Sequence, residues 1–280
     1  MCTWATTLYA IDTRNDKLLR LDSPNEGKFT EVGLLEVDVE DAGGFDFSPL
    51  GHPLAALHVN GASALYQIDT LSGQALRIGN LDGKVVGLAI LTDPVAYAIS
   101  PFNELVSYNT ADGSSSGVNI TGLQAGEQVL GIDMRPLNGQ LYILGSSSRI
   151  YTVSAATGAA VAVGNSTFNI PLWGTGFGFD FNPVADRIRI VSNYGQNLRV
   201  HPETGEVTSL DGYLNPGTPS VTAAAYTNNF FGATTTSLYV IDSETNMLYK
   251  QDPPNDGKLT AVGALGVDMR PAIGFDISST

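Results

Sequence analysis

A short phrase of glycine, an apolar residue and usually aspartate recurs along this chain at a nearly constant interval. Its copies read GFDFSP at Gly44, GLAILT at Gly87, GIDMRP at Gly131, GFDFNP at Gly178, AAAYTN at Ala223 and GFDIS at Gly274. The successive steps are 43, 44, 47, 45 and 51 residues. Because a four-stranded propeller blade takes ~40–50 residues, this interval predicts six repeated β-sheet units.

A second phrase, an alternating apolar and polar run that ends in a polar turn, occurs once in each repeat. It reads LYAIDTRND at Leu8, LYQIDTLSG at Leu65, LVSYNTADG at Leu105, IYTVSAATG at Ile150, LRVHPETG at Leu198 and LYVIDSETN at Leu238. Alternation bounded by Gly, Asn and Asp is typical of β-strands joined by tight turns. Helical periodicity is nearly absent, so the sequence predicts an all-β fold.

The two ends of the chain complete each other in this pattern. The step from Gly274 past the C-terminus to Gly44 is 50 residues, and Thr7–Ser48 matches Ser237–Ser278 without gaps at 21 of 42 positions. We therefore predict a single domain over residues 1–280, a six-bladed β-propeller. Its ring closes by pairing the C-terminal strand, near Ile273 to Ser278, with the N-terminal strands, near Thr3 to Thr13. A β-sandwich is the alternative fold, although it requires no such period.

Charge and composition exclude several classes of function. The formal net charge is -14, so the chain lacks the basic footprint that nucleic acids require, and we expect no nucleic-acid partner. The single cysteine excludes an internal disulfide and cysteine-based zinc sites. No apolar run approaches the ~20 residues of a membrane helix, so no membrane insertion is expected. The first residues also lack the basic and apolar regions of a secretory signal.

An arginine-rich hairpin is the first candidate site. Arg187 and Arg189 share one face of a predicted strand, Arg199 and His201 share a face of the next strand, and Asn193 to Gln196 form the predicted turn. Arginine recognises carboxylates and phosphates in a bidentate manner, which predicts an anion pocket made of Arg187, Arg189, Asn193, Gln196, Arg199 and His201. Two other interpretations stay open: bridges to Asp180, Asp186 or Asp133 of a neighbouring blade, or solvated surface.

The aspartate of the inner phrase is the second candidate. Asp46, Asp133, Asp180 and Asp276 occupy one repeat position, and Ala89 and Ala225 replace it in the other two units. If this strand is innermost, the four carboxylates approach the axis and could hold a cation such as calcium. The alternative is that each aspartate bonds backbone amides or an arginine between blades.

Two long stretches of the chain resemble a known family. NITGLQAGEQVLGIDMRPLNGQLYILGSSSRIYTV and GFDFNPVADRIRIVSNYGQNLRVHPETG, the second followed by LNPGTPSVTAAAYTNNFFGATTTSLYVID, are similar to the domain-of-unknown-function 4394 family. The resemblance covers about Leu105 to Ser278. It implies a bacterial-type, propeller-like protein located outside the cytoplasm, either extracellular or periplasmic. It implies no reaction.

The pattern favours a non-enzymatic binding or scaffolding module. A nucleophile elbow, a phosphate-binding loop and an i,i+4 histidine pair are all missing from the sequence. The expected partner is a protein, a glycan or a like subunit. Two alternatives remain: a hydrolase or lyase that uses carboxylates and the arginines, and a structural subunit that self-assembles.

Overall fold

The computed structural model describes residues 7–23, 27–48, 52–88, 90, 95–110, 112–269 and 274–278. They form two compact units, Met1–Thr92 and Asp93–Thr280, where the sequence predicts one domain. Among the described residues, the regular elements are antiparallel β-strands and one short 3₁₀ turn at Pro254–Asp256. No helix in the described ranges is long and apolar enough to cross a membrane.

The first unit contains two sheets whose strands follow one another in chain order. The first sheet consists of β1 (Leu8–Asp12), β2 (Lys17–Ser23) and β3 (Lys28–Leu34). The second sheet consists of β4 (Asp41–Phe47), β5 (Pro53–Val59), β6 (Ala62–Ile68) and β7 (Ala75–Asn80). Leu18 of the first sheet packs into the same buried cluster as Leu57 and Tyr66 of the second.

The second unit contains four further sheets with the same order of strands. The third sheet consists of β8 (Val95–Ile99), β9 (Glu104–Asn109) and β10 (Ser115–Asn119). The fourth consists of β11 (Val129–Met134), β12 (Leu141–Gly145), β13 (Arg149–Val153) and β14 (Ala160–Ala162). The fifth consists of β15 (Phe177–Asn182), β16 (Arg187–Ser192), β17 (Asn197–Val200) and β18 (Val207–Leu210). The sixth consists of β19 (Val221–Tyr226), β20 (Leu238–Asp242), β21 (Met247–Gln251) and β22 (Leu259–Ala264).

The core of the second unit lies between consecutive sheets. Buried side chains of the fourth and fifth sheets form one cluster, in which the rings of Tyr142 and Phe181 meet edge to face at 5.1 Å. Smaller clusters join the third sheet to the fourth and the fifth to the sixth. The first strands of all four sheets of this unit, with residues 274–275, line a cavity of about 270 Å³. Six small antiparallel sheets of this kind fit a six-blade arrangement.

Two predicted inner strands are not formed as strands. Residues 87, 88 and 90 lie outside any strand, as do residues 274–278, so the first and third sheets have three strands each. Residues 1–6, 89, 91–94 and 270–273, which belong to the same predictions, lie outside the described residues. The amide of Ile90 donates to Asp46 Oδ2 at 2.8 Å. Leu88 and Ile90 therefore lie beside β4 as residues of an inner strand would, without a ladder of their own.

The repeated glycine of the inner phrase has a packing role. A Cβ on Gly131 would lie 2.7 Å from Cβ of Phe179, and one on Gly178 would lie 2.7 Å from Cβ of Ala224. In the first unit, a Cβ on Gly44 would clash with the amide nitrogen of Leu88. In each case the contact is the residue that follows the corresponding position of the next repeat. Glycine is therefore needed because adjacent inner segments approach too closely for a side chain.

Replacing Gly178 with alanine is expected to lower the free energy of unfolding by about 1–3 kcal/mol, because the new methyl group overpacks β15 against β19. Gly263→Ala in β22 is the matched control, since a Cβ there would meet nothing within 4 Å. Urea unfolding followed by tryptophan fluorescence gives the comparison. Equal midpoints for the two variants would contradict the packing role.

Candidate functional site

The arginine hairpin forms β16 and β17, and Arg189 lies at its buried centre. The side chain of Arg189 is only 2% exposed. Its Nη1 donates to Asn197 Oδ1 at 2.7 Å and to Asp211 Oδ2 at 2.6 Å. Its Nη2 donates to Asn255 Oδ1 at 2.7 Å, and its Nε donates to the Tyr226 hydroxyl at 3.2 Å. Each nitrogen of the guanidinium therefore donates at least one hydrogen bond within the protein.

Asp211 joins the two arginines that the register places opposite each other. Arg189 pairs with Arg199 across the strands, and Arg199 holds Asp211 with two parallel hydrogen bonds of 2.8 Å each. Ser209 Oγ donates to the same carboxylate at 2.6 Å. Burial raises the pKa of Asp211, but the hydrogen bonds from Arg199, Ser209 and Arg189 outweigh it and the pKa lies below its usual value. The carboxylate is ionised at neutral pH and offsets one of the two positive charges.

The observed partners differ from those that the sequence suggested. Asp211 pairs with Arg189 and Arg199, whereas Asp186 accepts two hydrogen bonds from the buried Arg135. Arg187 donates to the carbonyl oxygen of its own neighbour, Asp186, at 2.8 Å. The Arg135 bridge joins the fourth and fifth sheets, whereas Asp211 follows β18 of the same sheet as Arg189 and Arg199. Arg189 reaches the sixth repeat through the neutral groups of Tyr226 and Asn255.

His201 and the hairpin turn have different environments. His201 Nδ1 accepts from the Glu203 amide at 3.2 Å. Asn193 and Gln196 instead support the segment that precedes β15. Asn193 Oδ1 accepts from the amides of Thr175 and Gly176 at 2.9 and 3.2 Å. The buried Gln196 accepts from the Trp173 amide at 2.8 Å and donates to the Pro171 carbonyl at 2.9 Å.

Three exposed aromatic side chains meet at this supported segment, and the sequence reasoning missed them. Trp173, Tyr194 and Tyr213 are 53%, 52% and 54% exposed, and we name them the aromatic cluster. The Tyr194 ring lies 5.7 Å from the Trp173 ring at 76°, and the Tyr213 ring lies 6.3 Å from it at 88°. The sequence feature that could have identified them is their position in Gly- and Pro-rich connections, because an aromatic side chain there does not belong to the buried face of a strand.

The backbone below the aromatic cluster is held in place. Ser192 is fully buried, and its Oγ donates to the Trp173 carbonyl at 2.7 Å. The Leu214 amide donates to the Gly195 carbonyl at 3.0 Å, which ties the Tyr213 loop to the Tyr194 turn. The three rings therefore project from connected loops on a fixed support.

The repeated aspartates link one repeat to the next. Asp46 Oδ2 accepts from the Ile90 amide at 2.8 Å, Asp133 Oδ2 accepts from the Phe181 amide at 2.7 Å, and Asp180 Oδ1 accepts from the Tyr226 amide at 3.1 Å. Each donor is the residue after the corresponding position in the next repeat. This is the backbone-bonding interpretation of the aspartates, and we call the contact the aspartate latch.

Where the preceding repeat has alanine at this position, the backbone amide that follows the aspartate donates to the aspartate of its own repeat. Ala89 precedes the repeat of Asp133, and Asp133 Oδ1 accepts from the Met134 amide at 2.7 Å. Ala225 precedes the repeat of Asp276, which accepts from the Ile277 amide at 2.7 Å. In both arrangements, the backbone amide that follows the repeat position donates to one oxygen of an aspartate.

Three of these carboxylates also converge in the second unit. One oxygen from each of Asp133, Asp180 and Asp276 lies within 4.8 Å of the other two. Burial, followed by the neighbouring negative charges, raises the pKa of Asp133 and Asp180 well above the usual value. Asp276 remains accessible to solvent, yet the protein around its carboxylate raises its pKa by desolvation. Three carboxylates this close must bind protons or share a cation.

A cation would find oxygen ligands of the kind that calcium prefers. Each carboxylate oxygen of Asp133 already accepts a backbone amide, so Asp133 could bind a cation only through its remaining lone pairs. Asp180 and Asp276 each accept one amide, which leaves one oxygen per carboxylate. Asp46, the fourth residue of the predicted set, lies in the first unit and accepts amides on both oxygens.

Comparison with solved structures gives distant similarities. A structural genomics protein of unknown function from Bacteroides thetaiotaomicron has a TM-score of 0.48 and 14% identity, covering 90% of this chain and 71% of its own. The computationally designed Ika8 protein has a TM-score of 0.36 and 12% identity, covering 90% of this chain and 73% of its own. No curated protein matches significantly.

Comparison with family models gives a match over most of the chain. One model covers residues 2–89 and 104–280, which include the loops of the aromatic cluster and the repeated phrases, apart from the end of the phrase that begins at Gly87. Its description is "Domain of unknown function (DUF4394)", and this chain belongs to that family.

Proposed function

We propose that the protein is a non-enzymatic binding module built on a six-bladed β-propeller, with the aromatic cluster as its binding surface. Its partner is a protein, a glycan or a second copy of the chain. The observation that carries this function is the exposure of Trp173, Tyr194 and Tyr213 on a supported backbone. Tryptophan and tyrosine dominate binding energy at recognition surfaces because they offer large, rigid contact areas.

The surroundings of the aromatic cluster support recognition by shape and hydrogen bonding. The connected loops, residues 164–176, 193–196 and 211–220, are rich in Gly, Asn, Ser and Thr, as antibody paratopes are. Arg189 and Arg199 of the hairpin are paired with Asp211. Contacts to a partner would therefore come from rings and neutral polar groups.

The ring of this propeller closes in our proposal through the last repeat. In the sixth sheet, Ala225 pairs with Tyr239. In the terminal repeat, Asp276 corresponds to Ala225 and Tyr9 corresponds to Tyr239. Residues 274–278 would then be the inner strand beside β1. The Phe47 amide, which donates to Asp46 in this structure, would then donate to Asp276 and form an aspartate latch. Closure would complete the first sheet.

A second candidate function is cation binding at the aspartates of the inner strands. It is favoured by the approach of three carboxylate oxygens within 4.8 Å in Asp133, Asp180 and Asp276. A calcium ion there would neutralise charges that are costly to bury together. This role would strengthen the ring and is compatible with the binding module.

Thermal unfolding tests the proposed binding surface. The midpoint of the wild type is compared with that of Trp173→Ala in monosaccharides, short glycans, organic cations and anions. A ligand at 100 times its dissociation constant adds ~2.7 kcal/mol of stability, so one class should raise the wild-type midpoint and leave the variant unchanged. Phe102→Ala, which removes an 89% exposed ring from another turn, should respond as the wild type does. Equal responses in all three proteins would refute the assignment.

A further inference from the structure

The three rings of the aromatic cluster form a corner. The planes of Tyr194 and Tyr213 are turned by 76° and 88° from that of Trp173, with centroids 5.7 and 6.3 Å away. Each ring is about half exposed, so the corner is open to solvent. Near-perpendicular rings offer faces in different directions. A flat ligand can stack on one such face, whereas a compact, rounded group can touch two.

The face of an aromatic ring is negative and attracts a cation. The attraction acts within about 6 Å of the ring centroid and is strongest for tryptophan. The separations in the aromatic cluster are of this size, so one cation in the corner could lie within range of Trp173 and a tyrosine together. A methylated ammonium group is well suited because its methyl groups also contact the apolar rings.

The charge of the protein favours the same ligand. The net charge is -14, so the long-range field attracts cations. The loops that carry the rings contain no Lys, Arg or His, and their one charged side chain is Asp211. The exposed Asp256 and Lys258 both lie next to the Tyr213 loop: the Asp256 carbonyl oxygen accepts from Asn215 Nδ2 at 2.9 Å, and Lys258 pairs with Asn215 along the backbone. A cation approaching the aromatic cluster therefore meets no positive side chain of these loops.

We infer that the ligand of the aromatic cluster carries a quaternary or methylated ammonium group. The inference rests on the proposed function, because it names the chemistry recognised at the same surface. It goes beyond that function by separating this ligand from a neutral sugar and from an anion. The source of the group is a free small molecule or a methylated lysine of a partner protein.

Tryptophan fluorescence gives a direct test, because the chain has two tryptophans and Trp4→Phe leaves Trp173 alone. Choline is titrated against 3,3-dimethylbutan-1-ol, its uncharged isostere. We expect choline to bind at least about fivefold more tightly. Tyr194→Leu should weaken choline binding severalfold, while Tyr194→Phe should retain it. Equal affinity for choline and the isostere would overturn the inference.

Two further titrations complete the test. A trimethyllysine peptide that binds at least tenfold more tightly than choline would identify a protein source, and similar affinities would identify a free molecule. If methyl glycosides bind and choline does not, and Tyr194→Leu abolishes the binding of the glycosides, the inference is overturned. The proposed function would still stand in that case. No response to any of these probes would count against both.

Discussion

Replacing Asp211 with alanine is expected to lower the free energy of unfolding by about 3–5 kcal/mol. The loss is large because the substitution leaves the Arg189 guanidinium, 2% exposed, without a carboxylate. Neutral acceptors on Asn197 and Asn255 remain, but they cannot neutralise a buried charge. For a chain of this length the unfolding midpoint should fall by roughly 6–20 °C.

Arg199→Ala is the matched control for this prediction. It removes two hydrogen bonds to Asp211, but its own side chain is 35% exposed and leaves Arg189 paired. We expect a loss of about 1 kcal/mol. Because the folded pKa of Asp211 is lowered, its contribution is present above the unfolded value of about 3.9 and is lost as the pH falls through the folded pKa. Urea unfolding at pH 7 that gives similar losses for the two variants would contradict the buried pair.

The second large effect is expected at the converging aspartates and has the opposite sign. Replacing Asp180 with asparagine keeps an oxygen for the Tyr226 amide and removes a charge that is buried beside two other carboxylates. We expect the free energy of unfolding at pH 8 to rise by about 1–3 kcal/mol. The raised pKa of Asp133 and Asp180 means that the wild type loses stability as the pH rises from about 4 toward their folded pKa values.

The measurement is the difference in unfolding free energy between Asp180→Asn and the wild type, from pH 4 to 8 in EGTA. It should grow from near zero at pH 4 to its full value at pH 8. Added calcium should then stabilise the wild type and leave the variant unchanged, if the carboxylates hold a cation. A constant difference across this range would contradict the raised pKa values, and equal calcium responses would contradict the cation site.

The repeat explains why much of the fold could be predicted from sequence. Gly178 and Asp180 recur because each repeat makes the same contact with the next: the glycine allows close approach, and the aspartate accepts an amide. A repeated contact leaves a repeated residue, so the number of units and the role of the phrase are visible in the chain. The face shared by Arg189 and Arg199 was also predictable, since strand alternation determines it.

The remaining features depend on contacts that occur once. Asp211 lies in a connection just beyond β18, and nothing in its local sequence marks it as the partner of two arginines. The aromatic cluster joins Trp173, Tyr194 and Tyr213 from three loops that meet only in the folded fifth sheet. Strand alternation says nothing about such loops, because their conformations follow from individual turns and side-chain hydrogen bonds.

A closed six-bladed ring makes a specific prediction for the chain ends. Tyr226 pairs with Leu238 in the sixth sheet, and the matching residues of the terminal repeat are Ile277 and Leu8. In the background Cys2→Ser, the pair Leu8→Cys and Ile277→Cys should therefore form an intramolecular disulfide under mild oxidation, because opposite strand residues lie within bridging distance. The pair Leu8→Cys and Phe275→Cys, displaced by two residues, should not.

Gel mobility and peptide mass after oxidation of the native protein are the measurements to make. A closed ring predicts the Leu8–Ile277 crosslink in most molecules at low protein concentration, and little crosslink in the displaced pair. Free thiols in both pairs, or crosslinks only between separate chains, would show that the terminal strands do not meet and would contradict the closed propeller.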